Sequence, residues 1–142
     1  MIINLSKMCF LSRNPYYAIQ WSDRMRGMIG RNFTDSLDAM VFSRCNMIHM
    51  MFMSIPLDVV FVNNENIICA LYTEVSPWTP WLYCKKAIAT IELQAGTLKK
   101  TGTELGDKID LNSELTSDIV KKIETSENLG IVRPVSMQRG NE

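Results

Sequence analysis

Cys45, His49 and Met53 stand four positions apart, with Met47 and Met51 between them, and thiolate, imidazole and thioether are all ligands for Cu(I) or Zn(II). Geometry decides whether they can act together. On a helix, residues four apart lie within ~6 Å and can share an ion. On a strand rising ~3.3 Å per residue, Cys45 and His49 are ~13 Å apart and can share neither a metal nor a proton. Turn residues flank this stretch, so the sequence predicts a strand and no metal site. With one histidine in 142 residues, a multi-histidine centre is excluded. His49 then reads either as a hydrogen-bonded core histidine or as a polar anchor in an apolar pocket.

Two carboxylates extend the candidate chemistry. Asp58 opens the apolar run Leu57 to Val62, and Glu92 sits inside the run Ile88 to Leu93. A carboxylate in such a place must be hydrogen-bonded, charge-paired or neutral. Arg24, Arg26 and Arg31, clustered on one short segment, supply possible partners. Functionally, Asp58, Glu92 and His49 beside these arginines form an acid/base or anion-binding set. Structurally, Asp58 caps turn donors and Glu92 ties an arginine to the sheet. The register of 45–53 against 57–62 decides whether Asp58 lies on the His49 side. Trp78 and Trp81, set among prolines, are candidates for a partner-binding surface or a lid.

Composition narrows the classes. Fifteen basic and fifteen acidic residues give zero formal charge, which speaks against nucleic-acid binding. No run reaches the ~20 apolar residues of a membrane span, so no membrane insertion is expected. Met1 to Ser12 lacks the apolar length and cleavage site of a signal peptide, which leads to an expected cytoplasmic location. Cys9, Cys45, Cys69 and Cys84 include no C-x2-C pair and read as buried thiols. Glycine-rich phosphate loops, H-E-x-x-H and G-x-S-x-G are absent, so no cofactor is expected and enzymatic activity is left open.

The elements that must position these residues are mostly strands. Apolar runs at 39–42, 45–53, 57–62, 67–73, 87–93 and 108–111 alternate with turn chemistry, and 45–73 reads as a three-stranded meander with 57–62 as a covered central strand. Ser22 to Arg31 suits a short helix capped by Ser22 and ended by Gly30. Residues 97–106 read as a polar connection. Ser113 caps a second helix from Glu114 to about Glu124, with Leu115, Ile119 and Ile123 on one narrow stripe, and 127–142 reads as a loosely held tail.

Five blocks in order carry a resemblance: RMRGMIGR at 24–31, AMVF at 39–42, MSIPLDVVFV at 53–62, IELQAG at 91–96 and GDKI at 106–109. Together they resemble domain of unknown function 192, an uncharacterised bacterial and archaeal family, over about residues 16–111. The resemblance implies a compact β-sandwich or distorted barrel with one short helix packed on it, and no established activity. The expected architecture is therefore a mainly β, antiparallel domain over 1–112, followed by a C-terminal helix and tail over 113–142. The leading expectation is a binding or accessory module holding a small anionic or amphipathic molecule or a peptide, with Arg24, Arg26, Arg31, His49, Met53, Asp58 and Glu92 as candidate ligand contacts. Two others stand beside it: a hydrolase or lyase using Asp58 or Glu92 with His49, and a docking component of an envelope or secretion assembly that engages a protein through Trp78, Trp81 and the C-terminal extension.

Overall fold

The computed structural model describes residues 1–111 and 117–130. Its centre is a five-stranded sheet of β3 (Pro15–Tyr17), β4 (Ala39–Ser43), β9 (Ala89–Gln94), β6 (Leu57–Val62) and β7 (Ile68–Val75), in that spatial order. Only β3 runs parallel to its neighbour. The continuous apolar runs in β4, β6 and β9 follow from burial on both faces, and every residue of β6 is buried.

The two faces hold separate cores. On one face, Val41, Val60, Val62, Ile91 and Leu93 pack against Ile2, Leu11, Leu98 and Ile109. These come from a three-stranded sheet, β10 (Ile109–Asp110), β1 (Ile2–Asn4) and β2 (Cys9–Ser12), and from the short helix α2 (Thr97–Thr101). On the other face, Met40, Phe42, Leu57, Val59 and Phe61 pack against Met28, Ile48, Met50 and Met53. Helix α1 (Trp21–Arg26) precedes that layer, and the ribbon of β5 (Met47–Ile48) with β8 (Leu82–Tyr83) completes it. Among the described residues the architecture is β-rich with short helices, layered and without a closed barrel.

Several expectations are corrected. The stretch 45–53 is not one strand: pairing stops at Ile48, and Phe52 takes a left-handed φ of 63° in a turn. Burial falls on Ile48, Met50 and Met53, which breaks strict alternation, and β5 pairs with β8 instead of β6. The meander therefore reduces to the β6–β7 hairpin. Helix α1 starts after Gln20, not Ser22, and ends at Gly27, not Gly30. The polar connection contains α2, and strands β1, β2 and β3 come from a segment with no strand signature.

Helix α3 (Ser117–Asn128) lays Ile119, Val120 and Ile123 on Ile3, Leu5 and Phe10, the outer side of the small sheet. Arg13 bridges to Glu124 and Glu127 at its end. The expected cap Ser113, together with Leu115, lies outside the described residues, as does 131–142. No helix among the described residues is long and apolar enough to cross a membrane.

Candidate functional site

Glu92 faces inward on β9, opposite Val59 of β6 and Met40 of β4. Residues directly opposite across antiparallel strands share a face, so the carboxyl projects into the methionine-rich layer. It is 5% exposed. The Met28 backbone N–H donates to it, while Oε2 has no partner among the described residues. Burial penalises the charged form and pushes the carboxyl up to about 8, so at neutral pH the group is mostly the protonated acid.

A cavity of about 350 Å³ opens on this carboxyl. Its floor is Glu92 and Phe42, its walls are Met28, Ile48 and Met53, and its mouth is formed by Trp21, Arg24, Arg26 and His49. That volume lies within the ~300–1,000 Å³ range of small-molecule pockets. The chain has no Asp or Glu between Asp38 and Asp58 or between Glu74 and Glu92, so the ribbon side of the mouth carries no negative charge. Arg24 donates to the Ser43 and Arg44 carbonyls at 2.5 and 3.3 Å, and Arg26 Nε donates to Ile29 at 3.0 Å. Among the described residues neither arginine forms a salt bridge, and both stand at the rim.

Gly27 explains why α1 ends where it does. Its φ of 52° with ψ of −131° is open to glycine and strained for other residues. A Cβ there would sit 3.5 Å from the Phe42 ring and 3.6 Å from Glu92 Oε2. Gly27→Ala is expected to cost about 1–3 kcal/mol by chemical denaturation, the range for a residue forced into such a conformation. An unchanged midpoint would show that the backbone relaxes freely.

The structure brings Arg24, Arg26, His49, Met53 and Glu92 together at this cavity. Asp58 and Arg31 lie elsewhere. Asp58 pairs in register with Leu93, one residue along from Glu92, and so points to the opposite face. It is fully buried, with Oδ1 accepting from the Glu74 N–H and Oδ2 from the Leu98 N–H, both at 2.8 Å. The joint acid/base set of Asp58 and Glu92 with His49 is therefore not assembled, because the sheet separates the carboxylates. Arg31 reaches Asp23 at 3.1 Å. That pair, with the Tyr16 hydroxyl donating to Asp23 first in importance, holds the Asp23 carboxyl below its usual value.

His49 is exposed at the rim, where its Nδ1 accepts the Met51 N–H at 3.2 Å. Phe52 and Trp78 pack with ring centroids 5.0 Å apart at a tilt of 59°, and Trp78 and Trp81 are 54% and 69% exposed. Trp21, Met25 and Met47 also line the cavity, and the sequence reading missed them. Only exposed apolar side chains on a short helix and ribbon mark them, a signal too common to single them out. No group of three or more His, Cys, Asp or Glu among the described residues is arranged to hold a metal ion.

Residues 14–111 match the model of domain of unknown function 192, an uncharacterized ACR family, and the chain belongs to that family. Among solved structures, it is similar to a protein of unknown function from Novosphingobium aromaticivorans: 22% identity, TM-score 0.61, covering 68% of this chain and 73% of that one. It is also similar to a Sinorhizobium meliloti protein named as a candidate transcription regulator: 24% identity, TM-score 0.63, covering 77% and 88%. At these identities the likeness establishes the fold alone. No curated protein matches the chain.

Proposed function

We propose that the protein is a small ligand-binding module whose cavity takes an amphipathic molecule with an apolar tail and a head that accepts hydrogen bonds, such as a carboxylate or carbonyl. The unpaired, buried Oε2 of Glu92 carries this reading. As a protonated acid it is a donor, and leaving a buried donor unmet costs ~1–3 kcal/mol, which an accepting ligand head recovers. Arg24 and Arg26 favour an anionic head at the mouth. The methionine side chains are flexible enough to repack around differing tails. In this reading the protein works in the cytoplasm, with its thiols kept reduced.

Decanoate, its methyl ester and decanamide serve as probes, titrated by calorimetry and two-dimensional NMR. Saturable binding is expected, with shifts at Met28, Ile48 and Met53. Affinity for decanoate should fall by up to about tenfold between pH 7 and pH 9, because Glu92 turns from donor to anion as the pH passes about 8. Glu92→Leu should weaken binding of all three probes, since each carries a carbonyl that accepts from the Glu92 acid. Binding of all three probes untouched by Glu92→Leu would remove the proposal.

A second reading rests on the Phe52–Trp78 pair, the motif behind a protein-docking role. Both residues hold left-handed φ values, 63° and 68°, a conformation costly for aromatic side chains. Strain held at an exposed aromatic pair fits a surface shaped for a partner.

A further inference from the structure

We propose that Cys69 and Cys84 are a thiol–disulfide exchange site, a dithiol that closes reversibly on reaction with low-molecular-weight disulfides or peroxides and locks the β5–β8 ribbon onto the main sheet. Their sulfurs lie 3.2 Å apart across fifteen positions of chain, and both cysteines are free and half-buried. Forming a bond of ~2.05 Å requires the sulfurs to approach by roughly 1 Å, within reach of side-chain rotation.

The backbone is built to make this meeting. In the β6–β7 ladder, Phe61 pairs with Ala70 and Val62 with Ile68, which leaves Cys69 as the unpaired residue of a β-bulge. A bulge re-aims side chains. Ile68 and Leu71 point into one core, whereas Cys69 and Ala70 both point into the other, where Cys84 also lies. The Cys69 thiol contacts the Phe61 carbonyl at 3.4 Å. Cys84 follows β8 directly and is fixed by its N–H to the Asn46 carbonyl at 2.9 Å and by the Ala87 N–H to its own carbonyl at 3.0 Å. The other thiols have different surroundings: Cys9 faces the Thr101 carbonyl and Cys45 the Met47 carbonyl.

With oxidised glutathione as reactant, the Cys84 thiolate attacks one sulfur and releases one glutathione thiolate, leaving a mixed disulfide. The Cys69 sulfur, losing its proton to solvent, then attacks Cys84 and expels the second glutathione. The sum is two cysteine thiols and one glutathione disulfide giving one protein disulfide and two glutathiones. With hydrogen peroxide, Cys84 becomes a sulfenic acid with release of one water, and Cys69 displaces the oxygen as a second water. Burial and the neighbouring sulfur push the Cys69 thiol up to about 11, which suits it to the second, resolving step. A reversible pair of this kind is the usual form of disulfide in a reducing compartment.

The test treats the full chain with oxidised glutathione or hydrogen peroxide, then maps cross-links by non-reducing peptide mass spectrometry. The expected result is one internal Cys69–Cys84 cross-link, two of four thiols protected from maleimide, recovery with dithiothreitol, and a Tm rise on the order of 10 °C on oxidation. Cys84→Ser should lose the cross-link and the Tm rise, while Cys45→Ser keeps both. Stable glutathione adducts without a cross-link, bridges through Cys9 or Cys45, or disulfides between chains would each overturn the proposal. The mapping on the unaltered chain decides the matter even if Cys84→Ser does not fold.

Discussion

Glu92→Gln is expected to be markedly more stable than the unaltered protein at pH 8, by roughly 4–5 kcal/mol, with the difference vanishing near pH 4.5. The folded carboxyl titrates at about 8 against an ordinary value of 4.5, so between these limits the folded state binds a proton that the unfolded state has released. Each pH unit in that window removes ~1.4 kcal/mol of stability. The stabilisation is complete below about pH 4.5, falls as pH rises, and is exhausted once pH passes about 8. Glutamine has no proton to lose, keeps an oxygen for the Met28 N–H, and points its amide into the cavity where Oε2 lies. Urea unfolding at pH 5, 7 and 9 checks this. Parallel stability curves for the two proteins would mean that Glu92 is not buried as described. The cavity therefore weakens the fold at neutral pH, a common mark of a site shaped for binding.

Asp58→Ala is expected to lose about 3–5 kcal/mol, enough to unfold much of the population at 37 °C. One buried carboxylate holds two distant backbone donors, Glu74 in a bulge of β7 and Leu98 in the first turn of α2. Removing it leaves the buried Leu98 N–H and the part-buried Glu74 N–H without their acceptor. Asp58→Asn keeps one acceptor and should lose about half as much. Its binding of decanoate at the Glu92 cavity should match that of the unaltered protein, since the sheet lies between them. A well-folded Asp58→Ala chain that has lost binding would return Asp58 to the site.

The elements legible in the sequence are those whose burial is dictated locally. The runs at 39–42, 57–62 and 87–93 are apolar on both sides because both faces of the sheet are covered, and Asn63 announces its turn by accepting the Glu65 and Ile67 N–H groups, each at 3.0 Å. What escaped the sequence depends on distant partners. α2 is polar, five residues long and flanked by glycines, and its first turn is held by a carboxylate forty positions earlier. The Met-rich stretch looks continuous because methionine fits a strand or a turn equally well. Within the site, the sequence could name Glu92 and the arginines as unusual. It could not show that Asp58, though also a buried carboxylate on a neighbouring strand, faces the other way, because that rests on a one-residue register.

The outer strand β7 has a bulge at each end, one that aims Cys69 and one held by Asp58 through Glu74. Between them only Tyr72, Leu71 and Ala70 keep regular register with β6. An open strand edge normally invites another chain to add a rung, and a twisted, interrupted edge frustrates that growth. The opposite margin, β3, is three residues long and begins with Pro15. The irregularities that set side chains in this sheet thus also leave neither margin a long, regular edge on which another chain could add a strand.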